Sequence, residues 1–577
     1  MGKIITTLID RFDGGISEDK RSNIANKFSI AKHFDTFTYP HKLVPHYKKM
    51  VVGSAATETG RVNALSSLGM VKFLYAQNGT TSNLLFGFGG DVNEAPDIRS
   101  FNIDGGDFTV DWQALSNGDS DETDVRNQDV FFYYKGYIYM FVIGTDGIVR
   151  YKADNSEAFD DSWQALSSIS LGVIPQPVHH PNDDIAYFFS DNFVHTFDGT
   201  TFDDDALELP SESRIVDACA YGNYLAIATV DAKYYSKDAV TKTIVYLWDR
   251  DSSLTTLTEK IDFGRGKLAH LETLNGKLTA VINDSATNPL SLDKGKILIK
   301  QYNGNVAVTV NALTIDNNVG TADWTRYEYY LPATRVVKDD KLYFPMRADL
   351  NGDSRNGIWA LNHNGALNLE MIDEELVDGA VQAYKGLYCT GNMWWVAYSE
   401  TLLSKTSVKV YNTDSSKGYS ATMPSIYESL IFDLGDSSLT KKLIGATVMT
   451  EPLPSAGQVV LKYRLNEQTA WTTIFTNSPT TAGSFIVGKK YKITTVGTTS
   501  FTSIGASANT VGVVFTATGV GSGTGTAIGD LINFDALNIG GVTLPEFKEI
   551  QFRIESTGGA VITGLKFKSE FIDKQLY

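Results

Sequence analysis

The residue types best suited to bind a metal ion are those of Asp349-Leu350-Asn351-Gly352-Asp353. Side-chain oxygens at alternate positions suit a Ca²⁺ loop, because carboxylate and amide oxygens are the ligands that Ca²⁺ takes. The sequence then departs from the calcium-loop pattern, since Ser354 and Ala360 stand where Gly and Glu are required. A solvated turn is the favoured interpretation, and Ca²⁺ binding by Asp349–Asp353 is left open.

Clustered carboxylates are a second kind of candidate, because a glycoside hydrolase needs two of them facing each other across a cleft. They occur at Asp119, Asp121, Glu122, Asp124, Asp160, Asp161, Asp203, Asp204 and Asp205. All are expected in loops with turn formers around them. The favoured interpretation is a solvated surface rather than a catalytic site.

Three histidines, His179, His180 and His195, come close together in the sequence. Zinc sites combine His with Cys or Glu at short spacing, and "PVHHPNDD" supplies neither, so surface or packing roles are favoured. No G-x-S-x-G, H-E-x-x-H or P-loop motif is present, and the Gly-rich "SGTGTAIGD" lacks the strand–helix context of a phosphate loop. The sequence therefore predicts no catalytic, cofactor-binding or metal-binding residues and no enzyme activity.

A basic segment at His41, Lys42, His46, Lys48 and Lys49 stands out in an acidic chain. Clustered positive charge favours contact with phosphate groups or with acidic proteins. Two interpretations stay open here, an inter-subunit or DNA-channel contact and a solvated turn.

The overall charge limits the partners of the chain, which has 577 residues, 67 Asp and Glu against 50 Lys and Arg, and a net charge of -17. Such a balance argues against binding nucleic acid or anionic lipid over the whole surface. Two cysteines in apolar runs, Cys219 and Cys389, exclude a disulfide framework and indicate a reducing compartment. No signal-peptide core and no membrane-spanning run is visible, so no membrane anchor is expected.

A repeat runs through the first 420 residues, in which "DWQALS" and "SWQALS" place Trp112 and Trp163 51 residues apart. A short alternating strand that ends in Asp or Asn recurs at steps of 44 to 59 residues. Its ends are Asp104, Asp154, Asp198, Asp249, Asn303, Asn362 and Asn412. Upstream hairpins are predicted to turn at Asn78–Gly79, Gly136, Asp183, Asn223, Gly276, Asp340 and Gly391.

Each repeat thus reads as three or four antiparallel strands, which is typical of a β-propeller blade. We predict an all-β fold with about seven blades over residues 61–424, preceded by an extended arm at 1–60. A solenoid of sheets or two separate sandwiches is the alternative. Strands such as "YLAIATV" and "MWWVAYS" are apolar on both faces, as stacked sheets require.

The C-terminal third differs in pattern. Residues 425–477 and 530–577 alternate with period two, as in "QVVLKYRL" and "KEIQFRIES", and predict a β-sandwich. The Gly/Thr-rich residues 478–529 between them predict a small β module inserted in a sandwich loop, with a flexible linker as the alternative.

Several segments resemble proteins of tailed-bacteriophage virions. "FDGGISEDKR" and "KFSIAKHFDTFTYPHKLVPH" resemble the opening arm of such proteins. A propeller followed by "FDLGDSSLTKKLIGATV" and "ITGLKFKSEF" is similar to phage tail proteins of the nozzle and tail-tip type. The insert "AGSFIVGKKYKITTVGTTSFTSIGASANTVGVVFTATGVGSGTGTA" carries the most specific resemblance, to a module found across phage structural proteins.

This resemblance implies a structural protein of the virion tail that is assembled in the host cytoplasm. It would form a homo-oligomeric ring, as a nozzle or tail hub, that shapes a DNA exit channel or a platform for fibres. Its partners would be the tail adaptor, the fibres and passing DNA. Two other functions stay open: a receptor- or glycan-binding module of tail or head, and a glycan-degrading propeller enzyme.

Overall fold

Runs of β-branched and aromatic residues between turn formers become strands, because these side chains pack well on a pleated surface. In the computed structural model the described residues form 44 strands and one 3-10 turn at Thr502–Ile504, which confirms the predicted all-β class. The structure describes residues 3–21, 26–46, 49–51, 70–78, 83–90, 97–102, 113–114, 131–142, 147–152, 160–165, 177–231, 242–253, 257–285, 295–315, 335–350, 353–371, 383–390, 393–400, 405–412, 424–451, 453–454, 457–466, 468–477, 479–488, 490–529, 533–535 and 545–572. No helix in these ranges is long and apolar enough to cross a membrane.

The chain divides into two compact units. Residues 49–365 and 373–411 form the first, here called the body. Residues 1–48, 366–372 and 412–577 form the second, here called the terminal unit. The first five strands are β1 Ile4–Ile9, β2 Ile30–Lys32, β3 Phe34–Asp35, β4 Val44–Pro45 and β5 Lys49–Val51.

Seven four-stranded antiparallel sheets follow one another along the chain. Sheet one contains β6 Met70–Asn78, β7 Asn83–Gly90, β8 Asp97–Asn102 and β9 Gln113–Ala114. Sheet two contains β10 Phe131–Tyr134, β11 Tyr137–Val142, β12 Gly147–Lys152 and β13 Asp160–Ala165. Sheet three contains β14 Val178–His179, β15 Ala186–Ser190, β16 Phe193–Phe197 and β17 Phe202–Glu208.

The next sheets repeat this order of four strands. Sheet four contains β18 Ser213–Tyr221, β19 Tyr224–Asp231, β20 Lys242–Trp248 and β21 Glu259–Arg265. Sheet five contains β22 Lys267–Leu274, β23 Lys277–Ser285, β24 Gly295–Tyr302 and β25 Ala307–Ile315. Sheet six contains β26 Val336–Lys338, β27 Lys341–Leu350, β28 Asp353–Asn362 and β29 Leu367–Met371, of which β29 is assigned to the terminal unit.

Sheet seven is completed by a strand from far upstream. Its first three strands are β30 Ala383–Thr390, β31 Met393–Glu400 and β32 Lys405–Asn412. Its fourth is β5, in which Met50 pairs with Val410. In addition β30 lies beside β6, so the last sheet neighbours the first. A segment near the N-terminus therefore supplies the fourth strand of the last sheet.

Consecutive sheets pack face to face, and β19 shows how one strand serves two cores. Every residue from Leu225 to Val230 is buried, as predicted for "YLAIATV". Leu225 and Ile227 join Phe189 and other side chains of sheet three, while Ala226 and Ala228 join a cluster with sheet five. Because side chains alternate along a strand, burial of both faces requires a sheet on each side.

Tight turns join the first and second strands of sheets two, four, five and six, as predicted. The hairpin predicted to turn at Asp183 differs, because a longer loop connects the paired residues His179 and Ala186. The turn residues Asn275 and Gly276 both have positive φ (47° and 73°), and so do Asp339 and Asp340 (51° and 59°). Two successive left-handed residues make the two-residue hairpin turn that matches the twist of the strands. The turns predicted at Asn78–Gly79 and Gly391 fall at or beside residues outside the described ranges.

Five of the predicted positions, Asp198, Asp249, Asn303, Asn362 and Asn412, stand at or directly after the end of a third strand, whereas Asp104 and Asp154 lie outside the described residues. The side chains of the first four accept hydrogen bonds from the turn that follows. Asp198 Oδ1 accepts hydrogen bonds from the backbone N–H of the residues two and three positions on, both at 2.7 Å. Asn303 repeats this at 3.1 and 2.9 Å, and Asp249 and Asn362 bond the residue two positions on. Such Asx turns explain the period, because they direct the chain into the fourth strand.

Asn303→Ala should lower the free energy of unfolding by about 1 kcal/mol, because two turn N–H groups lose their acceptor. The matched control is Asn305→Ala in the same turn, where a change within about 0.5 kcal/mol is expected. Urea denaturation of both variants gives the comparison. Equal losses at both positions would contradict a role for the Asx turn.

The terminal unit contains two five-stranded sheets. Its strands are β33 Ser425–Glu428, β34 Lys441–Thr450, β35 Gln458–Leu465, β36 Thr472–Asn477, β41 Asn533–Asp535, β42 Glu546–Phe547, β43 Ile550–Thr557 and β44 Ile562–Phe571. One sheet has the order β1-β44-β34-β41 with β42 also paired to β34, and the other has the order β2-β33-β43-β35-β36. Phe552 of β43 packs on Phe567 of β44 with ring centroids 4.7 Å apart, so side chains of the two sheets meet.

Residues 480–529 form a small sheet of their own, with the order β37-β40-β38-β39. Its strands are β37 Thr480–Thr481, β38 Lys490–Thr495, β39 Val514–Thr516 and β40 Thr526–Gly529. A buried cluster that includes Phe485, Tyr491, Phe501 and Phe515 fills one side. The segment thus has a hydrophobic core within itself.

Candidate functional site

The candidate calcium residues lie on a hairpin. Strand β27 ends at Leu350 and β28 begins at Asp353, with Asp349 paired to Ser354. Asn351 and Gly352 lie outside the described residues. Within the described ranges no group of three or more His, Cys, Asp or Glu residues is arranged to hold a metal ion.

The carboxylate runs were predicted in loops, and this is wrong for the two runs that the structure describes, which lie on strands. Asp160 and Asp161 belong to β13, and Asp203–Asp205 belongs to β17, where Asp203 and Asp205 are exposed. The run at Asp119, Asp121, Glu122 and Asp124 lies outside the described residues. The two described runs occupy the fourth strands of neighbouring sheets.

The histidines occupy separate surroundings. His179 is exposed, whereas His180 is buried and its Nδ1 accepts a hydrogen bond from the Asn182 N–H at 3.2 Å. Burial, reinforced by the nearby Arg250 charge, lowers the pKa of His180. His195 is buried with Nε2 2.6 Å from Ser190 Oγ.

The basic segment makes contacts within the chain. His41 Nδ1 lies 2.8 Å from the Asp10 carbonyl oxygen, and Lys42 forms an ion pair with Glu451. His46 Nε2 lies 3.0 Å from Oε1 of the buried Glu370. Lys49 begins β5, and Lys48 lies outside the described residues.

Sequence reasoning missed a buried ionic cluster in the body, in which the pKa of each charged side chain is shifted. It joins Asp217 on β18, Glu272 on β22 and Arg335, which directly precedes β26. These positions belong to the first strands of sheets four and five and to the start of sheet six. The side chains of Asp217, Glu272 and Arg335 are 1, 19 and 12% exposed.

Two β-bulges help to aim side chains into this cluster. The pairing register of β18 shifts between Ile215 and Asp217, and that of β22 shifts between Leu268 and His270. A bulge adds one residue and so redirects the next side chain. His270 is thereby buried beside the ring of Phe344, with centroids 5.0 Å apart.

Asp217 is the centre of the cluster. Its Oδ1 accepts a hydrogen bond from the Ala218 N–H at 2.9 Å, and its Oδ2 accepts one from the Leu271 N–H at 2.7 Å. Arg335 pairs with the same Oδ2 through one terminal nitrogen. Its Nε lies 3.4 Å from Glu272 Oε2, so one guanidinium connects both carboxylates.

The electrostatics of the cluster follow from burial. Burial raises the pKa of both Asp217 and Glu272, while the Arg335 charge opposes that rise. Burial alone lowers the pKa of Arg335, but Asp217 and Glu272 together outweigh it and the net shift is upward. The pKa of His270 shifts downward, to about 3, because burial and the Arg335 charge both disfavour the protonated imidazole.

Both cysteines are free thiols. Cys219 is buried, and burial raises its pKa well above the usual value. Cys389 lies 3.7 Å from Lys338 Nζ, and burial also raises its pKa. Raised values reduce the thiolate fraction, so neither thiol has the character of a reactive nucleophile.

The cluster joins sheets four, five and six by ion pairs and hydrogen bonds, and we call it the ionic clamp. Each charge faces an opposite charge or a backbone donor, and the donors come from strands of different sheets. Breaking one partner of such a group leaves an uncompensated buried charge, which is strongly destabilising. A charged residue inside an apolar first strand, as in "IVDACAYG", was the sequence signal that could have revealed it.

The pH dependence of stability should report His270. The folded body keeps this side chain neutral, whereas the unfolded chain protonates it below its ordinary pKa of 6.5. Between that pKa and the folded value of about 3, the unfolded state binds one proton more, so stability falls as the pH falls.

His270→Gln should remove this contribution of the imidazole to the pH dependence. Between pH 6 and about 4, the free energy of unfolding of the variant should therefore fall less steeply than that of the wild type, by about 1.4 kcal/mol per pH unit. Urea denaturation at several pH values measures both slopes. His270→Asn is the matched second neutral variant and should behave alike. Parallel slopes for wild type and both variants would contradict a neutral buried imidazole.

Comparisons with known proteins return no matching family model and no matching curated protein. Among solved structures, a prolyl endopeptidase matches with a TM-score of 0.34 and 11% identity over 65% of this chain and 53% of that one. A Mycobacterium tuberculosis puromycin-hydrolyzing peptidase gives 0.37 and 10% over 67% and 61%. The calcium-binding protein regucalcin from Agrobacterium tumefaciens gives 0.28 and 10% over 49% and 88%.

The chain thus spans about half the length of the prolyl endopeptidase that it matches. At TM-scores of 0.28 to 0.37 the backbones superpose too loosely to transfer fold or function to this chain.

Proposed function

We propose that this chain is a structural protein of a tailed-bacteriophage virion and that several copies form a ring in the tail, as a nozzle or hub. The body serves as a rigid seven-bladed β-propeller, and the two sheets of the terminal unit serve as a β-sandwich for attachment. The phage assignment rests on the sequence resemblance of the arm, the sandwich strands and the Gly/Thr-rich insert.

Closure of the sheet series supports the propeller. Seven four-stranded sheets follow in order, and sheet seven both neighbours sheet one and takes its fourth strand from β5. A ring of sheets has no exposed first and last face, because each sheet packs between two others. A closing strand from one end of the repeat region then ties the ring together.

The buried ionic cluster is the single observation that favours a structural role over catalysis. Its charged groups lie inside the body and are satisfied by each other and by backbone amides. Catalytic carboxylates must instead face a substrate across a cleft. Buried charges that join neighbouring sheets are consistent with a structural protein that must stay rigid in an assembled tail.

Charge distribution fits passage of DNA. Residues 49–365 and 373–411 carry 48 Asp and Glu against 29 Lys and Arg. Phosphate binding requires clustered positive charge, so an acidic body would let DNA slide past without adsorbing to it. The same acidity disfavours a role as a packaged DNA-binding protein.

Quantitative mass spectrometry of purified particles tests the proposal. The chain should co-purify with virions in several copies per particle. A phage with a stop codon at Lys3 should yield particles with defective tails, and supplying the wild-type protein should restore them.

Two other results would redirect the assignment. Intact particles that fail only to adsorb would favour the receptor-binding alternative. Absence of the chain from particles would overturn the virion proposal.

A further inference from the structure

One sheet of the terminal unit ends in an edge strand that carries no charge. This strand, β1, lies at the end of the order β1-β44-β34-β41, and all six of its residues are Ile, Thr or Leu. Its Ile4 and Leu8 are exposed by 58 and 51%. Proteins normally place charges or Pro on such edges to prevent association. The edge at β1 is therefore a surface suited to binding another protein.

The neighbouring strand β44 adds positive charge to the same side of the sheet. Its buried Phe567 packs on the other sheet of the terminal unit. Because side chains alternate along a strand, the flanking Lys566 and Lys568 lie on the outer side, where both are exposed. Lys566 is the register partner of Leu8, so a basic and an apolar side chain stand next to each other on this side.

Positive charge exceeds negative charge on this side of the sheet. The exposed Lys3 directly precedes β1, and Glu570 is the one carboxylate on β1 and β44. In the part of the chain that the structure describes, no ion pair involves Lys3, Lys566 or Lys568. The name basic face is used here for Lys3, Ile4, Leu8, Lys566 and Lys568. A partner of opposite charge is therefore the kind that this face fits.

The body carries a surface of that charge on sheet three. Residues 153–213 are the longest stretch of the chain without Lys or Arg, and they contain 13 Asp and Glu. The outer strand of sheet three, β17, lies within this stretch, and its Asp203, Asp205 and Glu208 are exposed. Its neighbour β16 contains no Lys or Arg and no carboxylate. The negative charge of β17 is therefore local and is not offset within its own sheet.

Bases from outside this stretch do not neutralise β17 either. Three of them pair with carboxylates in the loops that precede and follow β15: Lys135 with Asp184, Arg214 with Asp191 and Arg250 with Asp183. Among the described residues, no ion pair involves Asp203, Asp205 or Glu208. The acidic strand thus keeps its charge for a partner, as the basic face does.

A second copy of the chain supplies the partner that each surface requires. Both surfaces belong to this chain, and their local charges are opposite. Opposite charges speed the encounter of two proteins and orient them, and apolar contact then stabilises the complex. The chain therefore carries both halves of an interface.

We propose that the basic face of one copy docks on β17 of a neighbouring copy, so that its lysines pair with the carboxylates of that strand and its apolar side chains are covered. Because the two surfaces differ, the contact is head-to-tail, and each copy retains one free surface of each kind until a ring closes. This inference rests on the proposed ring function and identifies the surfaces that would build it.

Charge reversal tests the pairing by sedimentation velocity. Lys566→Glu/Lys568→Glu reverses the basic face, and Asp203→Lys/Asp205→Lys reverses β17. A four-site variant combines both pairs of substitutions in one chain. Unchanged circular dichroism and melting temperature establish that each variant is folded.

The matched control is Lys277→Glu/Lys548→Glu. It changes the net charge by the same amount as the reversed basic face, at two exposed lysines outside both surfaces. Any loss of assembly that follows net charge alone would therefore appear in this control as well.

We expect the wild type and the control to form oligomers larger than dimers. Each reversed pair should be monomeric, with a dissociation constant raised about 100-fold, because like charges then face each other. The four-site variant should assemble again, since its two surfaces are once more of opposite charge. High salt should weaken assembly of the wild type, because exposed ion pairs are screened.

A monomeric wild type, a control that fails to assemble, or a four-site variant that stays monomeric would overturn the pairing. Assembly of either reversed pair equal to that of the wild type would overturn it too. Co-purification of the wild-type chain with particles tests the proposed function separately. A virion protein whose reversed pairs still assemble would keep that function and lose this interface.

Discussion

Arg335→Met should lower the free energy of unfolding of the body by about 3–5 kcal/mol, the usual cost of removing one partner of a buried ionic group. The variant leaves Asp217, with a side chain 1% exposed, without its guanidinium. Urea denaturation followed by tryptophan fluorescence measures the loss. The effect should be the largest of any single charge removal among the residues described.

The matched control for this prediction is Arg265→Met. Arg265 pairs with Asp284 at 3.2 Å with half of its side chain exposed, so its loss should cost no more than about 1 kcal/mol. Adding Asp217→Asn and Glu272→Gln to Arg335→Met should recover part of the stability, because no buried charge then remains. Equal effects of the two Arg variants would contradict the clamp.

A disulfide between β5 and β32 should stabilise the body by about 2–4 kcal/mol. Met50 and Val410 are antiparallel partners, and such partners lie within disulfide reach. A Met50→Cys/Val410→Cys variant should therefore oxidise readily and lock the closing strand in place. The melting temperature of the oxidised form should exceed that of the same variant after reduction.

Met50→Cys alone is the control and should respond little to reduction. Because the chain also has two natural free thiols, peptide mapping is used to identify the bond between positions 50 and 410. Failure of the pair to oxidise, or equal melting temperatures of both redox forms, would contradict closure by β5.

The sequence predicted features whose causes are local. Asp198 and Asn303 mark the ends of third strands because each side-chain oxygen accepts hydrogen bonds from the backbone N–H groups two and three positions on. The hairpin at Asn275–Gly276 follows from residues that tolerate positive φ. Burial of both faces of β19 was visible as an unbroken apolar run.

Features that depend on distant partners were missed. Strand β5 has three residues and no alternating pattern, and its partner β32 lies about 360 positions away in the sequence. Likewise β1 and β2 pair with β44 and β33, partners that the prediction of an extended arm at residues 1–60 did not name. Register between such segments is decided by tertiary packing, which a local pattern does not encode.

The ionic cluster was missed for a related reason. Asp217, Glu272 and Arg335 are spread over 119 residues, and their spacing matches no ligand or catalytic motif. They meet only because three sheets align and two bulges redirect side chains. Runs such as Asp203–Asp205 are visible in the sequence by their local density of charge, which is typical of a solvated surface.

We propose that copies of the chain, each a closed seven-bladed propeller, build a ring in the virion tail. A cryo-electron microscopy reconstruction of the phage tail tests it most directly. We predict a ring of copies, each with seven sheets around an axis, with residues 49–51 as the outer strand of the seventh. A tail reconstruction without density for this chain, or an open series of sheets without that strand, would contradict the proposal.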